Sequence, residues 1–375
     1  MRICLIANQI AAWGKIGGFG SATRALGAGL AERGVEVFAV VPRRNHEGQQ
    51  RVENLDGITV IGTSAAETMT SGRVFRRINA DIYHSQEPTI ATYLAQRAQP
   101  EATHLVTCRD PRGLRDHLVE LQHTNLRRRL QAPITWYYEA SPWVKRAVRN
   151  ADEVLMPAPS CLTPRIKALY GETVEPRFVP SLVDIPESPP SKGDNPLALF
   201  VGRWDHRKRI ERFFELARRF PDVHFVAVGR AHDESYDRRL RETYGHLPNV
   251  EMPGYISRFG EDSLNRLYER AWILVNTSAR EGLPYTFIEA TAWGCALLSP
   301  LDPDGFTSRF GYHVADDSQQ GLEKGLCWLL EADRWAERGL AGSAFVTTRF
   351  SAEASLSQHQ ALYRRILRYP DEEAV

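Results

Sequence analysis

Two glutamates with seven residues between them, Glu281 and Glu289, bracket a turn-forming stretch in NTSAREGLPYTFIEATAWG, residues 276–294. An apolar strand-like run precedes it, a helical pattern follows it, and Gly282 and Pro284 permit a sharp turn between them. One carboxylate then ends a loop and the other lies about one turn into a helix, an arrangement that suits hydroxyl groups better than phosphates. A second constellation, FVGRWDHRKRIERF at 200–213, places Gly202, Arg203 and Lys208 between an apolar run and a helix start. Two cations there converge on an anion; without an anionic partner they would oppose the helix macrodipole. A third, IGGFGSATRALG at 16–27, is a glycine-rich loop opening a helix, where backbone N–H groups face a phosphate. Gly18 and Gly20 fit the first two positions of G-x-G-x-x-G, the third falls on Thr23, and no Walker lysine is present, so this loop reads as an anion site or as a tight turn.

Such residues need strands that end in loops and helices that start from them. The runs RICLIAN (2–8), VEVFAVV (35–41), ITVIGT (58–63), DIYHS (81–85), THLVTC (103–108) and DEVLMPAPS (152–160) alternate with helical patterns over 21–32, 112–130 and 134–149. This rhythm predicts a parallel sheet covered on both faces. DIPESPPSKGDNP, 184–196, holds four prolines and almost no bulky apolar side chain, and reads as a linker. Beyond it LALFVG (197–202), HFVAVG (224–229), VEMPGY (250–255), ILVNTS (273–278) and CALLSP (295–300) alternate with helices over 210–220, 236–244, 264–271 and 288–293. The fold class is α/β, with two Rossmann-like doubly wound domains facing a cleft. The expected boundaries are 1–184, a linker at 185–196, a second domain at 197–350, and a C-terminal amphipathic helix within 351–375 that packs back on the first domain.

The composition fits this scheme. The chain has 375 residues, 43% hydrophobic and 25% charged, with 47 Lys+Arg against 46 Asp+Glu, which excludes a disordered or fibrous protein. No window reaches the ~18 consecutive apolar residues of a membrane span. Neither half is basic enough to predict reading of nucleic acid. Cysteines at 4, 108, 161, 295 and 327 have no CxxC spacing, which argues against a disulfide framework or zinc cage. With MRICLIAN read as a strand and not as a signal peptide, the expected location is the cytoplasm.

Together these motifs resemble the GT-B glycosyltransferases of retaining family 4. The resemblance rests on the glycine loop after strand one, VGR followed by Lys208, PGYIS at 253–257, and above all the E-x7-E pair Glu281 and Glu289. It implies that a hexose is moved from a nucleotide sugar, UDP-linked before GDP- or ADP-linked, to a hydroxyl acceptor such as a lipid-linked or polysaccharide precursor. Carried onto this chain, it makes Arg203 and Lys208 the ligands of the donor diphosphate, Glu281 a partner of the sugar hydroxyls and Glu289 of the ribose. Gly17 and Gly18 approach the phosphates. Gly202, Gly282, Leu283, Pro284 and Tyr285 line the donor site, and Tyr255 and Ile256 border the base. The leaving phosphate helps deprotonate the acceptor, so neither a protein nucleophile, a cofactor nor a divalent metal is demanded. The family's T-x-H-D histidine falls on Arg109 here, which cannot act as a base at neutral pH but can contact the sugar, phosphate or acceptor. His84 is a substitute contact or a structural histidine. EGLPY replaces the commoner EGFG, and Asp302-Pro303-Asp304 reads as a turn.

Residues 109–149 carry nine basic against four acidic side chains, Arg127, Arg128 and Arg129 among them, with Trp136, Tyr137, Tyr138 and Trp143 close by. Such a segment suits an anionic membrane surface at its inner face or a phosphorylated acceptor, or else a solvated helix face over core aromatics. The competing functional readings are a catalytically silent nucleotide-sugar-binding protein and a sugar-nucleotide epimerase of the same fold.

Overall fold

The computed structural model describes residues 1–11, 13, 18–43, 50–64, 67, 70–113, 116, 126–188, 191–256 and 264–368, with the side chains of 126–131 outside the description. The chain divides into two units, Met1–Leu182 with Ala352–Val375, and Val183–Ser351.

In the first unit the elements run β1 (Arg2–Ile6), α1 (Gly18–Glu32), β2 (Glu36–Pro42), β3 (Val52–Leu55), β4 (Ile58–Thr63), α2 (Gly72–Ile78), β5 (Ile82–Ser85), α3 (Ile90–Ala98), β6 (Thr103–Thr107), α4 (Leu126–Ala140), α5 (Pro142–Arg149), β7 (Glu153–Met156), α6 (Pro159–Tyr170) and β8 (Arg177–Phe178). Their sheet order is β3-β4-β2-β1-β5-β6-β7-β8, parallel except for the β3–β4 pair. Strands such as β1 and β5 are buried along almost their whole length because helices cover both faces, and their apolar side chains form buried clusters on either side.

The second unit contains β9 (Leu197–Val201), α7 (Ile210–Arg219), β10 (His224–Val228), α8 (Glu234–Tyr244), β11 (Val250–Gly254), α9 (Leu264–Arg270), β12 (Ile273–Val275), α10 (Tyr285–Ala292), β13 (Ala296–Ser299), α11 (Phe306–Phe310), β14 (Gly311–His313), α12 (Gln319–Leu330) and α13 (Arg334–Phe350). Its sheet, β11-β10-β9-β12-β13-β14, is parallel between all neighbours. α14 (Ala352–Leu367) belongs to the first unit: Leu356, Leu362 and Tyr363 join that core, and Gly29 of α1 admits Leu356 where a Cβ would stand 2.5 Å from its Cδ1.

Several boundaries differ from the sequence reading. α1 begins at Gly18, three residues before the predicted start, and α6 begins at Pro159, because proline suits a helix's first turn and not a strand interior. Of the predicted helices over 112–130 and 134–149, residues 114–115 and 117–125 lie outside the described residues; the break expected between them is corrected, since one helix passes through Pro133 and the break falls at Ser141, where Pro142 opens the next helix. Residues 184–196 lie in the second unit. Lys192 Nζ donates to the carbonyls of Tyr268 and Trp293, both at 2.7 Å, and Trp272 Nε1 to that of Gly193 at 2.9 Å.

Candidate active site

In each unit the strand order reverses at one place: between β9 and β12 in the second, between β1 and β5 in the first. Open α/β sheets bind ligands beyond the carboxyl ends of the strands at such points. The loops leaving β9 and β12 span 202–209 and 276–284, and they contain Arg203, Lys208, Glu281 and most of the residues proposed to line a donor site.

These two loops are stitched together by hydrogen bonds to backbone carbonyls. Thr277 Oγ1 shares its one proton between the carbonyls of Lys208 and Arg209, at 2.7 and 2.9 Å, and Ala279 N donates to that of Arg207 at 2.9 Å. In return Arg209 Nε donates to Thr277 O at 2.7 Å and Nη2 to Ser278 O at 3.1 Å. Arg209 holds a left-handed backbone, φ +50°, just before α7. Its guanidinium continues to both carboxylate oxygens of Asp317 at 2.8 Å, and Arg212 adds a bond of 2.6 Å. Burial opposes the charge on Asp317, but these hydrogen bonds hold its carboxyl below the usual range. On the other flank, Gly229 after β10 has φ +133°, and a Cβ there would stand 1.8 Å from the Gly202 carbonyl oxygen. Only glycine permits that approach.

Within this frame Lys208 Nζ donates to Glu281 Oε1, and Ser278 Oγ donates to the same oxygen at 2.9 Å. Lys208 and Glu281 are 17% and 18% exposed. The anionic partner that a cation beside a helix start requires is thus supplied by the chain itself. Arg203 lies 3.7 Å from Asp205 and is one-third exposed. Gly282, Leu283 and Pro284 are buried, and Tyr285 opens α10 half-buried. Glu289, in the middle of α10, accepts a 3.1 Å hydrogen bond from the hydroxyl of Tyr268, a fully buried residue of α9. Tyr255 and Ile256 leave the end of β11, and Tyr255 is 50% exposed. Asp302 accepts from the backbone N–H of Thr307 and Ser308 at 2.8 and 3.0 Å, so it caps a turn.

The first unit treats its carboxyl-end residues differently. Gly17 lies outside the described residues, and Gly18 is the first residue of α1. Arg109, two residues past β6, is buried, with Nη1 donating to Ser181 Oγ at 3.0 Å and Nη2 to Gln86 Oε1 at 2.9 Å. His84, read from the sequence as a substitute contact or a structural histidine, is held on both sides by side chains of its own unit. Its ring is fully buried, 2.7 Å from Tyr363 OH on one side and 2.7 Å from Thr107 Oγ1 on the other. Burial, helped by His359 and Arg109, pushes the His84 pKa well below the ordinary histidine value. His359 is pushed down to about 4, chiefly by burial and further by Arg109, although its bond to Ser355 O at 2.8 Å works the other way. Both rings are therefore neutral at pH 7, and a small cavity lies against Thr107, Arg109, Ser181 and His359.

On α4 and α5, Ile134 is 71% exposed and Trp143 44%, with Trp136 and Tyr137 also exposed. The side chains of Arg127, Arg128 and Arg129 lie outside the description. Among the described residues no helix is long and apolar enough to cross a membrane, and no three His, Cys, Asp or Glu side chains gather to hold a metal. All five cysteines are free thiols, with Cys4, Cys108 and Cys295 buried.

Sequence reasoning missed Tyr268, Arg209, Thr277 and Asp317. Ser278, three residues before Glu281 in the same loop, was open to inference, whereas nothing in the spacing of Tyr268 or Asp317 links them to this site.

Residues 184–338, which include Arg203, Lys208, Glu281 and Glu289, match the family model described as glycosyl transferases group 1, and residues 2–104 match that of the starch synthase catalytic domain. Among solved structures, sucrose-phosphate synthase from Thermosynechococcus elongatus is similar with a TM-score of 0.78 at 19% identity, covering 98% of this chain and 100% of that one. HepE of Anabaena in complex with UDP-glucose gives a TM-score of 0.70 at 14% identity, covering 96% and 99%. The catalytic domain of starch synthase IV from Arabidopsis thaliana, bound to ADP and acarbose, gives 0.64 at 13% identity, covering 98% and 99%. A search of curated proteins finds no match. The two α/β units have the fold of the GT-B glycosyltransferases. The group 1 match is confined to 184–338, the part of the second unit that carries both glutamates.

Proposed function

We propose that this protein is a retaining glycosyltransferase of family 4 that moves a hexose from a nucleoside-diphosphate sugar, UDP-linked in the first instance, to a hydroxyl acceptor. The observation that carries the reading is the fixed juxtaposition of a cation and a carboxylate, Lys208 and Glu281, on two stitched loops at the strand-order reversal of the second unit. A diphosphate sugar presents the complementary pair, anionic oxygens next to hydroxyl donors. In this reading Lys208 and Arg203 hold the diphosphate and offset the charge that grows on it as the glycosidic bond breaks. Glu281 orients the sugar through its hydroxyls, and Glu289 binds the ribose. The contribution of these groups is positional and electrostatic, acting through donors already in place before the bond breaks. The two cations fill the role a divalent metal would have, and the leaving phosphate receives the acceptor's proton. Arg109 and the polar groups around it belong to the acceptor side.

The acceptor side includes contact with an anionic membrane from the cytoplasmic face. Its support is the exposed Ile134, Trp136, Tyr137 and Trp143 beside Lys145, Arg146 and Arg149, since aromatic and basic side chains together suit the headgroup region.

The test is thermal stabilisation by UDP, GDP, ADP and their glucose esters with EDTA present, because a ligand of the native state raises the melting temperature by mass action. A shift with one diphosphate family is expected, together with transfer or slow hydrolysis of its sugar. Binding without turnover would make the protein a silent sugar-nucleotide binder; conversion of the sugar without an acceptor would make it an epimerase. Sedimentation with anionic but not neutral vesicles checks the membrane contact.

A further inference from the structure

Lys208 and Glu281 have each other as partners before any donor arrives. We infer that Glu281 is a specificity-determining residue that makes the site prefer a sugar-bearing diphosphate to the bare diphosphate, and so helps to expel the spent donor. This rests on the assignment of Lys208 to the diphosphate.

The argument starts from the stiffness of the frame. Thr277, Ala279 and Arg209 tie the two loops by five contacts to backbone carbonyls, and Arg209 is anchored in turn to Asp317. Separating the loops would break these bonds, so side-chain rotation is the less costly way to accommodate an arriving anion. The Glu281 carboxylate therefore remains within a few ångströms of any phosphate that reaches Lys208. Ser278 strengthens this by donating to the same Oε1 that Lys208 uses, which keeps the carboxylate facing the cation. Both side chains are more than four-fifths buried, so water screens the repulsion between phosphate and carboxylate poorly.

A bare nucleoside diphosphate must displace Glu281 from Lys208 and leaves the carboxylate without compensation. A nucleotide sugar does the same but brings hydroxyl donors, which give the carboxylate new hydrogen bonds as it yields the ammonium. The preference reverses after transfer. The sugar leaves on the acceptor, Glu281 loses its hydroxyl donors, and its recapture of Lys208 opposes retention of the diphosphate. A site built only from cations would do the opposite and hold its product more tightly than its substrate.

The experiment is calorimetric titration of the full chain and its Glu281→Gln and Lys208→Met variants with UDP and UDP-glucose, or with the GDP or ADP pair should that give the larger thermal shift. Melting without ligand establishes that each variant is folded, and Glu281→Ala replaces the glutamine variant if that does not fold. Glu281→Gln should bind the bare diphosphate at least about tenfold tighter than the unaltered protein and gain nothing for the sugar nucleotide, so that the preference for the sugar-bearing ligand shrinks or inverts. Equal or weaker binding of the bare diphosphate by Glu281→Gln, with Lys208→Met losing affinity, would overturn this inference and leave the diphosphate site standing. Undiminished binding by Lys208→Met would overturn the diphosphate site itself and the inference with it.

Discussion

The two units use one topology to opposite ends. In both, charged and polar residues collect at the carboxyl ends of central strands, after β9 and β12 in the second unit and at β5 and β6 in the first. In the second unit Thr277, Ala279 and Arg209 do the fastening through backbone carbonyls and leave Lys208 and Glu281 to face one another, partly open to solvent. In the first the side chains themselves are consumed by fastening: Arg109 holds Ser181 and Gln86, and His84 joins Thr107 to Tyr363 of the C-terminal helix. The difference shows that position at a strand's carboxyl end selects candidates for chemistry, and that the partners decide which of them are available for it.

The sharpest way to break the comparison is to disturb the backbone frame of the second unit. Gly229→Ala forces a Cβ into the Gly202 carbonyl at a φ of +133°, and should cost more than about 4 kcal/mol of stability in urea unfolding. Wild-type unfolding by this variant would show that the close approach is dispensable. Next in size, Glu281→Ala should lower transfer on the order of 10²- to 10³-fold with an unchanged circular dichroism spectrum; transfer at the normal rate would remove this residue from the site.

The first unit should answer to pH instead. His359 has its folded pKa pushed down to about 4, against about 6.5 when unfolded. Between those values the unfolded chain takes up a proton that the folded chain refuses. Its contribution is therefore fully present above about pH 6.5 and is lost as the pH falls toward 4, on the order of 3 kcal/mol. His84, with its pKa also lowered, acts in the same direction. His359→Asn, whose amide can replace the bond to Ser355 O, should flatten the pH dependence of unfolding between pH 7 and 5. A profile identical to wild type would assign the acid sensitivity elsewhere.

The smallest effect sharpens the comparison within the second unit. Tyr268→Phe removes the hydroxyl that holds Glu289 and should weaken nucleotide binding by about 1 kcal/mol without changing affinity for a 2′,3′-dideoxy nucleotide. Equal losses for both ligands would mean that Tyr268 supports packing and not the orientation of Glu289.

Much of this was legible in the residues. The alternation of apolar runs and helical patterns marked the central parallel strands of both sheets, because strands buried on two faces are mostly apolar, but not β3, β8 and β14, which are two to four residues long and lie at sheet edges. The spacing of Glu281 and Glu289 around Gly282 and Pro284 placed one carboxylate in a loop and the other in a helix. Boundaries at prolines were less legible: Pro133 sits inside α4 and Pro159 opens α6, so the same residue type marks neither a break nor a strand by itself.

What the sequence determined by itself was the order of elements, the α/β class and the local setting of each candidate, since periodicity and turn chemistry act over a few residues. Only the tertiary structure decided which candidates meet. Lys208 and Glu281 are 73 positions apart, His84 and Tyr363 are 279 apart, and no local signal records either pairing. The physical reason is that a side chain's availability depends on what is packed against it: the same fold that encloses His84 between a strand and the last helix leaves Glu281 at the end of a loop, where a ligand's hydroxyls can compete for it.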